Sequence, residues 1–288
     1  MTRSKMFAKK TKGEIILYSI VFVIFSIYAV SLIFPFIWTF LSSLKTDDEF
    51  YESAFALPKQ WLFKNYVTAF SEFKIGNTTM IGMIFNSLWL TFAGTFVSIM
   101  VSSASAYIIA KYPFKGSKWI FNIAVFTMII PIVGNLPSMY KLVTTLHLNN
   151  PIGILALYCG GFGYNFIILH GFYRSLSWEY AEAAFIDGAG HFKTYFKVML
   201  PQAKPAIIAM SILSCIGIWN DYYTPFLYLK DYPTLALGIY QFDIIQEYRS
   251  NVPIYFCAIL LSTIPILLVY IFFQDTIMKN SVAGGLKG

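Results

Sequence analysis

Between Ile15 and Leu41 the chain carries no charged side chain. A helix of about 20 apolar residues crosses a bilayer, and a longer one tilts to fit. Five more apolar segments of this kind follow, at about 84–110, 119–140, 152–173, 206–229 and 253–274. Only 12% of the 288 residues are charged and 57% are apolar, whereas a soluble domain carries roughly a quarter charged. The charge deficit decides the class. The expectation is an all-α integral membrane protein of six transmembrane helices, 15–41 being the first. That first run is too long for a secretory signal core and lacks a small-residue cleavage site, so it reads as a retained span. Pro35, Pro131, Pro137, Pro225 and Pro265 fall within the runs, as membrane helices allow when neighbours satisfy the freed backbone. Gly160, Gly161 and Gly163 mean either close helix packing or a locally opened helix, with packing the commoner case.

The net charge of +7 does not point to nucleic acid, because the basic residues gather in short connecting segments. With the N-terminus inside, 14 of the 21 Lys and Arg residues lie on inner segments. That bias places both termini in the cytoplasm. The resulting division is a basic N-terminus 1–14, the first span, an extracytoplasmic segment 42–83, a five-span core 84–275 with an inner loop 174–205, and a cytoplasmic tail 276–288. Trp61, Leu62, Tyr66 and Phe70 predict a short helix on the outer membrane surface. Segment 230–252 is too polar to span and apolar enough to fold onto something. Cys159, Cys215 and Cys257 lack paired spacing and read as small core residues. His147, His170 and His191 are too scattered for a metal site.

The inner loop holds the stretch W-E-Y-A-E-A-A-F-I-D-G-A-G-H-F-K-T-Y-F-K-V-M-L-P, from Trp178 to Pro201. Trp178, Ala181 and Phe185 recur at i, i+3 and i+7, which predicts a short amphipathic helix. Ser177 is its expected N-cap, and Glu179 and Glu182 complement the positive end of its dipole. Asp187-Gly188 is its expected end, since glycine accepts the left-handed conformation. Such a helix suits docking to a partner.

Glu182-Ala183-Ala184, Gly188, Leu200 and Pro201 resemble the cytoplasmic-loop motif of ABC importer permeases, with Val198 where Ile is usual. Asp187 and Ala189 look like the carbohydrate-uptake branch, the maltose and multiple-sugar family. The resemblance extends to A-Y-I-I-A-K-Y-P-F-K-G at 106–116, G-F-Y-R-S-L at 171–176, I-G-I-W-N-D-Y at 216–222 and the Gly-rich, Lys-Gly ending. Trp178 departs from it, standing where Pro is usual. Six spans without a large outer domain are similar to the smaller permease of such a pair, a type I fold with spans two to six as core and the first wrapping it.

That resemblance implies a permease subunit of an ATP-driven, binding-protein-dependent sugar importer at the cell membrane. Glu179, Glu182, Ala183, Ala184, Asp187, Gly188, Leu200 and Pro201 would couple it to an ATPase dimer, with Glu182 pairing a basic ATPase residue and both alanines permitting close contact. The tail from Ser281 would reach into that dimer, and segment 230–252 would probe the binding protein's sugar cleft. Implied partners are a homologous second permease, the ATPase pair holding ATP and Mg, an external sugar-binding protein and lipid. The chain itself binds no cofactor and is no enzyme; Gly188–Thr194 lacks phosphate-loop spacing.

Neutral sugars need amides, hydroxyls and aromatic faces. The pathway candidates are therefore Asn165, Trp219, Asn220, Asp221, Tyr222 and Tyr223, and an intramembrane carboxylate such as Asp221 is a functional hypothesis by default. The alternatives are an importer of another solute or an ion-coupled carrier. The latter calls for several intramembrane carboxylates or inverted repeats, and Asp221 stands nearly alone.

Overall fold

Two compact units make up the chain, one of Met1–Ala69 with Ser250–Leu260 and one of Phe70–Arg249 with Leu261–Gly288. The computed structural model describes residues 11–129, 134–245 and 251–283, without the side chains of 243–245 and 276–283. Pro131, Arg249, the last five residues of the tail and the basic residues Arg3 to Lys10 lie outside the described residues.

In the first unit, α1 (Lys12–Ser43) starts on a capping box. The Thr11 hydroxyl accepts from Glu14 N at 3.3 Å, and the Glu14 carboxylate accepts from Thr11 N at 2.7 Å. This satisfies donors that a helix start leaves free. The helix is apolar all round, as a span facing lipid is, and its most apolar window is exposed throughout. Pro35 lies within it without ending it.

Segment 42–69 folds around a set of polar contacts. A helix absent from the sequence expectation, α2 (Asp47–Glu52), is capped by Thr46, whose hydroxyl accepts from Glu49 N at 3.2 Å. The buried Lys45 ammonium donates to the carbonyls of Ser53 and Ala54 at 2.8 and 3.1 Å. Asn65 in α3 (Lys64–Glu72) donates to the carbonyls of Ser43 and Lys45 at 2.9 and 2.8 Å. Of the four residues expected in a short helix here, α3 holds Tyr66 and Phe70. Trp61 and Leu62 precede α3, Leu62 N donates to Leu44 O, and Tyr66 turns inward to Ser43 at 2.9 Å. Burial pushes the Tyr66 phenol up from its ordinary value.

The second unit opens with a hairpin of β1 (Lys74–Ile75) and β2 (Thr78–Thr79), Lys74 pairing Thr79. There follow α4 (Met80–Lys111), α5 (Ser117–Ile129), α6 (Leu136–Thr145), α7 (Leu155–Tyr158), α8 (Tyr164–Ser175) and α9 (Glu179–Ile186). Next come α10 (His191–Thr194), a π turn (Tyr195–Met199), α11 (Leu200–Gln202), α12 (Lys204–Trp219), α13 (Tyr223–Tyr228), α14 (Leu235–Ile245) and α15 (Val252–Ala283), whose first residues belong to the first unit.

The second and sixth apolar runs are single helices, α4 and α15. The three between them are interrupted. Run three is α5 and α6, with Pro137 in the first turn of α6, where its missing N–H costs nothing. In run four the helix opens after α7 and resumes at Gly163, whose backbone is extended at φ −121°, ψ −157°. The helix is open at these glycines, the second of the two readings expected of them. Gly161 also packs, since a Cβ there would stand 3.3 Å from Val101 Cγ1. Run five breaks at Asn220 between α12 and α13. Among the described residues, α1, α4 and α15 are each long and apolar enough to cross a membrane alone; His191–Gln202 joined to Lys204–Trp219 across a 79° bend makes a fourth.

The axis of this unit is α4. Ser87, Thr91, Gly94, Ser98 and Ser102 form a stripe of small residues along one face, which lets neighbouring backbones approach without driving a polar face into lipid. Gly94 faces Ile218 and Tyr158, where a Cβ would meet Ile218 Cδ1 at 3.1 Å. One buried cluster gathers around the C-terminal half of α4 with Phe166, Leu169, Tyr173, Ala181, Met199 and Met210. Another joins Leu90 to Val143, Ile154, Tyr228 and Leu229. The described part of the polar segment, 230–245, does fold onto the bundle: Leu235 and Leu237 of α14 are buried, and Leu235 N donates to Ser87 Oγ at 2.7 Å.

Candidate coupling loop and membrane cavity

The loop after α8 turns on α9. Ser177 Oγ accepts from Glu179 N at 3.2 Å, as expected of a start signal, although the helix begins at Glu179 with Trp178 as the flanking residue. Its end is a Schellman turn. Gly188 N donates to Phe185 O at 3.0 Å, Ala189 N donates to Ala184 O at 2.9 Å, and Gly188 has φ +77°. Ala181 and Ala184 face the chain's own core, with Phe185 and Trp178 half-buried beside them. Glu179, Glu182, Ala183, Asp187 and Gly188 face outward. This corrects the role expected of Ala184: it packs inward, and only Ala183 of the pair meets an approaching surface. Farther along, Leu200 packs against the core and Pro201 is exposed.

The loop is clamped to the end of α4 by aromatic rings and hydroxyls. Tyr112, Trp178, Phe185 and His191 contact one another in a closed ring, with centroid separations of 5.1 to 6.0 Å. The Tyr112 hydroxyl and His191 Nδ1 are 2.9 Å apart. Deeper in, Tyr195 OH donates to Ser103 Oγ at 3.0 Å, and Ser103 Oγ lies 2.7 Å from Tyr173 OH. The Lys111 ammonium donates to Leu176 O. These contacts tie the loop around α9 to α4 and α8. The π turn leads to Pro201, which has no N–H to return to the preceding turn.

On the same bundle lies a cavity of about 450 Å³ lined by Ser98, Tyr158, Ser214, Gly217, Ile218 and Asp221, in the size range of small-molecule sites. Tyr158 OH donates to one Asp221 oxygen at 2.9 Å, and the other accepts from Thr224 N at 3.0 Å. Beside it, Asn165 Nδ2 donates to Ser214 Oγ at 2.8 Å. The interruptions in runs four and five bring these groups together: α7 ends at Tyr158, and Asp221 occupies the gap between α12 and α13.

Of the expected pathway residues, Asp221 lines this cavity and Asn165 borders it. The others are drawn elsewhere. Trp219 is buried and donates to Ser262 O at 3.2 Å, Asn220 donates back to Ile216 O at 2.8 Å, and Tyr222 stacks on Tyr240 at 4.4 Å. Tyr223 is largely exposed and is not in the lining. Sequence reasoning missed Tyr158, Ser98 and Ser214. The small-residue stripe on α4 was the available signal for Ser98; Tyr158 is one aromatic among many.

Long apolar helices, with a cavity holding a carboxylate at the helix breaks and an exposed short helix in the loop after α8, define a membrane-embedded transport subunit. It belongs to the ABC importer permeases, whose ATP is hydrolysed by separate subunits. The chain is a member of the family described as binding-protein-dependent transport system inner membrane component, matched over residues 98–280. It is 30% identical over 263 residues to the diacetylchitobiose uptake system permease protein NgcG of Streptomyces coelicolor, across 90% of this chain and 85% of that one. It is 28% identical over 258 residues to the melibiose/raffinose/stachyose import permease protein MelC of Bacillus subtilis, across 88% and 91%. In fold it is similar to a chain in the crystal structure of a bacterial ABC transporter involved in the import of the acidic polysaccharide alginate. That match has a TM-score of 0.79 at 23% identity and covers 93% of this chain and 99% of that one.

Proposed function

We propose that this chain is the smaller permease of a sugar or oligosaccharide importer, with six spans and both termini in the cytoplasm. Spans three to five cross as broken helices. Its division is the one expected from the sequence: 1–14, 15–41, 42–83, 84–275 with the loop 174–205, and 276–288. The partners are a homologous second permease, an ATPase dimer and an external sugar-binding protein. Relatives named for the uptake of diacetylchitobiose and of melibiose, raffinose and stachyose support the substrate class.

The observation that carries this reading is the two-faced α9. Ala181 and Ala184 are buried in the permease, while Glu182, Ala183 and Gly188 are exposed on a rigid, glycine-ended turn. Closure of the ATPase dimer moves α9, and the tyrosine–serine clamp passes that movement to α4 and α8. Exposed ion pairs contribute little affinity but set orientation and register, so Glu182 orients the docked ATPase more than it holds it. Asp221, Asn165 and Tyr158 line or border the path that opens between the permease halves.

The test is ATP-dependent uptake of a panel of labelled oligosaccharides by cells carrying the whole transporter. Glu182→Ala with Gly188→Pro lowers uptake at least tenfold while membrane insertion stays normal. Unchanged uptake would reduce α9 to an interfacial helix and overturn the coupling role.

A further inference from the structure

The cavity at the helix breaks has an asymmetry of charge. Asp221 is, among the described residues, its only charged lining residue; the others are two serines, a tyrosine, a glycine and an isoleucine. Among the described residues Asp221 has no ion-pair partner. Its oxygens accept from Tyr158 OH and Thr224 N, one bond each. A carboxylate offers about four lone-pair sites, so acceptor capacity remains on the cavity side. No cation stands among the described lining residues.

We infer that this cavity receives uncharged sugar units, whose hydroxyls donate to the Asp221 carboxylate, and turns away uronate units. The inference rests on the sugar-import reading and adds the charge class of the substrate. A hydroxyl donating to a carboxylate forms a charge-assisted bond, shorter and stronger than one between neutral groups. A second carboxylate in the same place meets a like charge, which opposes its binding. Neither Ser98, Ser214 nor Tyr158 supplies a compensating positive charge. The selection is a difference of affinities made by a repulsive element. Thr224 N and Tyr158 OH fix the carboxylate's orientation, so it cannot swing out of the way of an acidic ligand.

The test uses the assembled transporter: this chain, its second permease and the ATPase pair, in nanodiscs without the binding protein. Saturation-transfer NMR measures binding of a neutral trisaccharide that the transporter imports and of its analogue oxidised to a uronate at C6 of the terminal unit. Wild type is expected to prefer the neutral sugar at least tenfold. Asp221→Asn keeps an acceptor oxygen and removes the charge, and is expected to bring the two within threefold. Asp231→Asn, on the exposed turn after α13, is expected to keep the wild-type preference.

Equal binding of both sugars by wild type, a preference that survives Asp221→Asn, or no binding of either sugar while uptake of the neutral one proceeds would each overturn the inference and leave sugar import standing. If the complete transporter takes up no sugar at all, the sugar-import reading fails first and the inference falls with it.

Discussion

Gly188 shows how one residue decides a functional surface. At φ +77° it occupies the left-handed region, and a Cβ there would meet nothing within 4 Å. Its substitution cost is therefore conformational rather than steric. Gly188→Ala is expected to cost about 1 kcal/mol, read as a lower apparent Tm of the purified transporter. Gly190→Ala, two residues on at φ −77° and equally open, is expected to leave Tm unchanged. Equal shifts for the two would mean that the left-handed turn does not hold the loop. Gly188 was legible in the sequence because turn chemistry is local. The neighbouring alanines were not: Ala183 and Ala184 are the same residue type in the same motif, and only the packing of α9 on the core turns one out and the other in. Asp221 was legible as a lone carboxylate, but its partner Tyr158 lies 63 positions away in the chain.

At the scale of elements, the helix breaks matter more than the helices. Runs three to five are apolar enough to read as continuous spans, and hydropathy does not register where backbone bonds are given up. The breaks fall at Gly160–Gly163 and at Asn220–Tyr222, where side chains and neighbouring helices satisfy the freed backbone, as when Asp221 accepts from Thr224 N. The connection before run four is equally tight. A Cβ on Gly153 would lie 2.6 Å from Leu148 Cα and 2.7 Å from its carbonyl oxygen. Backbone cannot step aside, so Gly153→Ala is expected to cost about 1–3 kcal/mol, the range for overpacking. Gly238→Ala on α14 first meets the Met83 thioether, a flexible group that can move away. The measurement is the yield and Tm of each variant in detergent, with Gly153→Ala the more damaged. The reverse order would mean that the turn at Leu148 yields more readily than the α4–α14 contact.

For the whole molecule, the bias of Lys and Arg toward one set of segments makes a prediction about sidedness. In a background lacking Cys159, Cys215 and Cys257, Lys59→Cys is expected to react with a membrane-impermeant maleimide in intact cells. Lys197→Cys is expected to react only after the membrane is opened. Both positions are exposed, so accessibility reports the side of the membrane and not burial. The opposite pattern would invert the proposed topology and place α9 out of reach of an ATPase.

The sequence by itself determined that the chain lives in a bilayer, which family it joins, and where the loop after α8 turns. Charge deficit, long apolar runs and glycine turn chemistry are properties of short stretches, and they survive whatever the stretches pack against. Tertiary structure alone decided that three apolar runs are interrupted, that segment 42–69 folds around Lys45, and that Tyr158, Asp221, Ser98 and Ser214 share a cavity. The physical reason is the solvent. In water a helix declares its buried face by leaving polar residues on the other, but helices that are apolar all round, such as α1, carry no such mark. Which of their faces meets a neighbour is settled by small residues, hydroxyl pairs and helix breaks, and those acquire direction only when the helices stand side by side.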